Sequence, residues 1–122
     1  MTFGKQVGEY SLKSTSATMT PGPAGSVLAQ LNFEGTGTGF GTVLGTATFV
    51  GVKSGTFSWC ARAFPDNADT VTGNGEGTFE SVARNKWSTS LITRISDGRV
   101  QGARGEIDLA TRSWTGTLYE VS

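Results

Sequence analysis

Five carboxylates, Glu34, Glu76, Glu80, Glu106 and Asp108, share even-numbered positions with Cys60, Arg62, Arg94 and Arg104. In an extended chain alternate side chains point to opposite faces, so this parity sets them on one polar face wherever strand registers agree. A carboxylate held beside apolar surface has its pKa raised and serves as a general acid or base. A neighbouring arginine would hold an anionic substrate or stabilise developing negative charge. Glu34, Arg62, Glu76, Arg94 and Glu106 are the polar candidates for such a site. The plainer reading of the same parity is a solvent face, the ordinary condition of an antiparallel sheet with one side buried. Cys60 lies on that face with Arg62 two residues on, and a nearby cation lowers a thiol pKa. A lone cysteine is more often a small hydrophobe.

Other chemistry is excluded by residue type. The chain has no histidine, so Ser-His-Asp and Cys-His nucleophilic arrangements cannot form, nor can histidine-bearing zinc or iron sites. One cysteine rules out thiolate clusters, Cys-x-x-Cys redox chemistry and an intramolecular disulfide. No glycine-rich phosphate loop leads from a strand into a helix, and no Gly-Lys-Ser/Thr occurs. Neither a metal nor a cofactor is expected.

Ten basic and ten acidic residues give a formal net charge of zero. The basic residues are scattered rather than gathered into the patch that phosphate contacts require. Nucleic acid and an anionic membrane surface are therefore not expected partners. The residues from Met1 to Gln6 lack a secretory apolar run, and the single cysteine suits a reducing compartment, so a cytoplasmic protein is the simplest expectation. At 122 residues the chain has room for one domain, 1–122.

The elements that must position these groups are strands throughout, since nearly every segment alternates with period two. Eight candidates follow in order: Val7 to Met19, Ser26 to Gly35, Phe40 to Val50, Thr56 to Phe64, Thr70 to Ser81, Trp87 to Ile95, Val100 to Leu109, and Trp114 to Glu120. Pro21-Gly22-Pro23-Ala24-Gly25 and Pro65-Asp66-Asn67-Ala68-Asp69 break the chain. Asp97-Gly98 signals a tight primed hairpin. Odd positions carry the apolar set: Ala29, Leu31 and Phe33; Phe57 and Trp59; Trp87 and Leu91; Ile107 and Leu109. Phe40 to Val50 is apolar on both faces, which predicts burial on both sides. Long strands joined by short loops predict an all-β, mostly up-and-down antiparallel eight-stranded barrel, with a two-sheet sandwich as the alternative.

Eighteen glycines exceed what turns alone need. Gly73, Gly75 and Gly77 alternate along one strand and leave its inward face bare. Rings filling the gaps left by glycine give a packed interior. A flat apolar slot lined by Gly73, Gly75, Gly77, Trp59, Trp87 and Trp114 would instead take a ligand. Leu44, Val50, Phe64 and Ile92 interrupt the polar outer face and mark an expected contact between copies.

From Gly75-Glu76-Gly77-Thr78-Phe79 through Asn85-Lys86-Trp87, Ser96-Asp97-Gly98 and Gly105-Glu106-Ile107-Asp108 to Trp114-Thr115-Gly116, the closing half resembles uncharacterised small bacterial proteins related to the allene oxide cyclase-like and dirigent barrels. That resemblance implies an eight-stranded barrel that associates with itself and binds hydrophobic ligands in its mouth. No catalytic motif of that superfamily can be carried over. Two readings stand: a non-catalytic barrel that binds a small apolar molecule and/or forms a homo-oligomer, and a metal-free cyclase or isomerase using a barrel carboxylate.

Overall fold

Threonine, valine and aromatic side chains suit a pleated, half-buried surface, and each alternating segment of the chain is a strand. In the computed structural model, which describes residues 2–122, these are β1 (Phe3–Pro21), β2 (Val27–Gly37), β3 (Gly41–Gly51), β4 (Ser54–Phe64), β5 (Val71–Ala83), β6 (Lys86–Ile95), β7 (Val100–Asp108) and β8 (Ser113–Val121). Each strand pairs antiparallel with its sequence neighbour, and β1 pairs with β8, so the sheet closes into an up-and-down barrel. Closure removes the open edges that a flat eight-stranded sheet would expose.

β1 makes closure possible because it is long enough to serve two neighbours at different heights. Its residues from Phe3 to Lys13 pair with β8, whereas those from Tyr10 to Pro21 pair with β2. Such a stagger is what a tilted, sheared barrel requires. One barrel end carries the loops 38–40, 65–70 and 96–99 with the two termini, tied by reciprocal backbone bonds between Thr2 and Ser122. The opposite end carries 22–26, 52–53, 84–85 and 109–112.

The interior is an aromatic stack centred on Trp114, which is 1% exposed. Its ring lies 5.0 Å from Phe33, 5.2 Å from Trp59, 5.7 Å from Phe57 and 5.8 Å from Tyr10. Such pairs contribute about 0.5–1.5 kcal/mol each beyond burial. Phe49 stacks on Phe57 and meets Phe79 edge-on, filling the end that bears loop 52–53. Trp87 Nε1 donates to the Val52 carbonyl at 2.9 Å and holds that loop against the same end.

Glycines make room for these rings. A Cβ at Gly45 would collide with the Trp59 ring, and one at Gly77 would stand 2.7 Å from Phe57. Most of the bare inner wall is therefore already occupied.

Several expectations shift. β3 is not buried on both sides: Leu44 and Val50 are 44% and 46% exposed, because a closed barrel has no second layer outside it. Leu109 lies beyond β7 in the turn to β8 and is exposed. The β6–β7 hairpin is not a two-residue primed turn. Ile95 N donates to Arg99 O and Gly98 N to Ile95 O, closing a loop of Ser96, Asp97 and Gly98. Only Gly98 there has positive φ, at 99°, as in a type I turn followed by a bulge.

Trp114→Ala should cost about 3–5 kcal/mol of stability, the usual loss for a buried ring. Val52→Ala, at a position that is 79% exposed, should stay within about 0.5 kcal/mol. Equilibrium urea unfolding of both variants checks the contrast.

Candidate functional site

Below the end that carries loops 38–40 and 96–99, the rings leave a cavity of about 90 Å³. β4 contributes Trp59 and Ala63, β5 Val71 and Gly73, β6 Leu91 and Ile95, and β8 Trp114 and Leu118. No charged residue lines it.

Phe40 roofs this cavity. By parity it belongs with Thr42 and Leu44 on the outside, yet it is 7% exposed. Gly39 and Gly41 on either side have φ of 78° and 68°, a region glycine enters without strain. These two turns break the alternation and drop the ring into the mouth. A Cβ at Gly41 would also strike the Phe64 carbonyl, so glycine is needed there for space as well. The Arg99 guanidinium stands 4.4 Å above the Phe40 ring, a cation–π contact. Arg99 Nε donates to Asp97 Oδ2 at 2.8 Å, and Arg99 N donates to Asp97 Oδ1 at 3.1 Å. The backbone N–H of Arg99, followed by its guanidinium, holds the Asp97 carboxyl below its ordinary value.

The one ionisable group on the cavity wall is Tyr10. Its ring crosses bare backbone: a Cβ at Gly105 or Gly116 would run into the phenol oxygen. That oxygen sits among Thr89 and Trp114 but has no hydrogen-bond partner of proper geometry. Trp114 Nε1 donates instead to Thr89 Oγ1 at 3.0 Å. Burial pushes the Tyr10 phenol up to about 12, against the opposing influence of Thr89 and Trp114. The interior thus holds a neutral phenol and no carboxylate among the described residues.

The residues singled out from sequence divide sharply. Trp59, Trp114 and Gly73 line the cavity. Gly75 packs against β6, where an added Cβ would stand 2.6 Å from the Ile92 carbonyl. Gly77 lies under Phe57, and Trp87 stands at the far end against loop 52–53, so Gly75, Gly77 and Trp87 do not join the site. Glu34, Arg62, Glu76, Arg94 and Glu106 are all exposed on the outer wall. Glu34, Cys60 and Arg62 border a shallow outer depression with Leu44 and Asn74. Glu106 lies 4.0 Å from Lys86, both side chains being nearly half exposed, a pair of little energetic weight. The carboxylate and arginine set is thus the solvent face, and a cyclase reading that needs such a group inside has none there.

Leu44, Val50, Phe64 and Ile92 are not one patch either. Leu44 and Phe64 are diagonal neighbours, whereas Val50 pairs with Thr56 at the other end of β3. Ile92 is half-buried between Glu76 and Gly102 on other strands. Phe40 and Tyr10 are the site residues that sequence reasoning passed over. The glycines on either side of Phe40 were its only visible signal.

Comparison of the chain with models of protein families, with curated proteins and with solved structures found no match. Among the described residues, no group of three or more Cys, Asp or Glu could hold a metal ion. No helix there is long and apolar enough to cross a membrane.

The Tyr10 phenol loses its proton near 10.0 in the unfolded chain and near 12 in the fold. The folded state therefore binds more protons in that window. Stability should be complete below pH 10 and fall by roughly 2–3 kcal/mol as pH rises to 12. Tyr10→Phe, which removes the unpartnered hydroxyl, should abolish this component of the fall and raise stability at neutral pH by about 1 kcal/mol. Urea unfolding across the alkaline range measures both effects.

Proposed function

We propose that this barrel binds a small apolar molecule beneath Phe40, without catalysing a reaction on it. The observation that carries the reading is the uncharged cavity of about 90 Å³ between Trp59, Val71 and Leu118, roofed by a ring on two positive-φ glycines. An apolar cavity of about 150 Å³ takes up benzene, and empty apolar cavities stay dry. The space beneath the ring therefore suits a few heavy atoms. Movement of Phe40 about Gly39 and Gly41 would add the volume of its own ring and admit a larger apolar or aromatic molecule. Arg99, anchored by Asp97, holds the roof in its closed position.

The same reading accounts for the chemistry left outside. Binding of an apolar molecule draws on buried area and shape and needs no ionised group in the cavity. The resemblance to allene oxide cyclase-like barrels points the same way, since those proteins take hydrophobic ligands in the barrel mouth. The carboxylate-based cyclase draws no such support from the arrangement of Glu34, Glu76 and Glu106 on the outer wall.

Toluene titration, followed by the fluorescence of the cavity-wall Trp59 and Trp114 and by the thermal midpoint, tests this. A ligand that binds only the folded state raises the midpoint. Phe40→Ala should bind toluene at least about tenfold more tightly than wild type, having lost its roof. Ala63→Leu, which fills the cavity, should abolish binding while preserving the fold. No response in wild type or in Phe40→Ala would refute the proposal.

A further inference from the structure

From Ser14 to Phe33 there is no charged side chain, although the chain has ten acidic and ten basic residues. This stretch forms most of the β1–β2 hairpin, and its outer part projects beyond the barrel. β8 ends its pairing with β1 at Lys13↔Ser113, and the last backbone bond across that seam runs from Ser14 N to Arg112 O at 2.8 Å. β2 accompanies β1 further, as far as Pro21↔Val27. Thr15–Pro21 is therefore a strand with one neighbour.

Along an antiparallel strand, N–H and C=O groups turn alternately to the two sides. The free side of Thr15–Pro21 thus presents a row of unpaired donors and acceptors. Proteins usually blunt such an edge with charge, proline or a bulge. Here the bulge between Ser14 and Ser16 stands at its start and Pro21 at its end, and nothing charged lies between. That bulge also reverses parity, so Ala17 and Met19 share a face with Leu31, Ala29 and Val27. Met19 is 60% exposed and Val27 57%.

We propose that this edge docks a second copy of the same chain, the two β1 segments pairing antiparallel about a two-fold axis. An isologous contact sets each patch against itself, and a patch without charge meets its own copy without repulsion. The midpoint of Thr15–Pro21 is Thr18, so an axis there pairs the whole free segment. Thr18 then faces Thr18, Ser16 faces Thr20, and Ala17 faces Met19. Hydroxyl pairs lie on one face and apolar pairs on the other, both of which are favourable across strands. The two sheets join end to end at the opposite barrel end from the cavity. The mouth under Phe40 stays free, and the contact stands or falls independently of ligand binding.

Sedimentation equilibrium of the full chain over a range of concentrations tests this, with thermal midpoints recorded alongside. Wild type is expected to dimerise. Thr18→Lys and Thr18→Glu change an exposed side chain and should leave the midpoint unchanged at concentrations too low for wild type to pair. Each places like charges across the axis and should weaken the dimer roughly fivefold or more at low ionic strength. An equimolar mixture of the two should recover it, because only a two-fold through this position sets lysine against glutamate. A wild type that is monomeric throughout overturns the proposal. So do variants that dimerise as well as wild type, and so does a mixture that stays weak.

Discussion

The interlocking of aromatic rings with bare glycine backbone holds this barrel together. A small eight-stranded barrel has an interior just wide enough for side chains. Large rings fit there only where the facing wall carries none. Trp59 lies over Gly45, Phe57 over Gly77 and Tyr10 over Gly105 and Gly116. Each glycine costs about 0.5–1 kcal/mol of strand stability relative to alanine, and each buried ring returns several times that. The arrangement concentrates apolar contact around Trp114 and leaves the outer wall to threonine, serine and charge.

The same constraint decides where function can reside. Rings fill the end that bears loop 52–53 and the middle of the barrel, and the cavity lies towards the other end. There Phe40 enters from a turn rather than from a strand, and its two glycines let it take a position that strand geometry would forbid. Tyr10, caught between the stack and the glycine wall, keeps its proton and finds no partner. Charged groups stay outside because an interior packed with rings has no water or counter-charge to receive them.

Strand number, order and inward parity were legible in the sequence because apolar and polar residues alternate cleanly along most strands. Phe57-Ser58-Trp59-Cys60 and Leu91-Ile92-Thr93-Arg94 show how far that signal goes. It failed where contrast was missing. Ser14 to Thr20 is nearly all serine, threonine and alanine, so neither the bulge at Thr15 nor the reversal of parity beyond it left a trace. The projecting length of β1 was equally hidden, since only β8's early end makes it a projection. Phe40 was passed over because its place depends on positive φ at Gly39 and Gly41 on either side of it, which break the strand alternation. Gly73, Gly75 and Gly77 were rightly seen as a bare wall. Which of them remains bare depended on ring positions that no single strand encodes.

The function proposed for this barrel rests on the apolar cavity that its rings leave beneath Phe40. Diffraction from crystals under xenon pressure tests it most directly, because xenon enters apolar cavities that water leaves empty. The expected result is an interior xenon site beneath Phe40, between Trp59, Val71 and Leu118. Ordered water in that space, or xenon lodged among Phe49, Phe57 and Phe79, would contradict it.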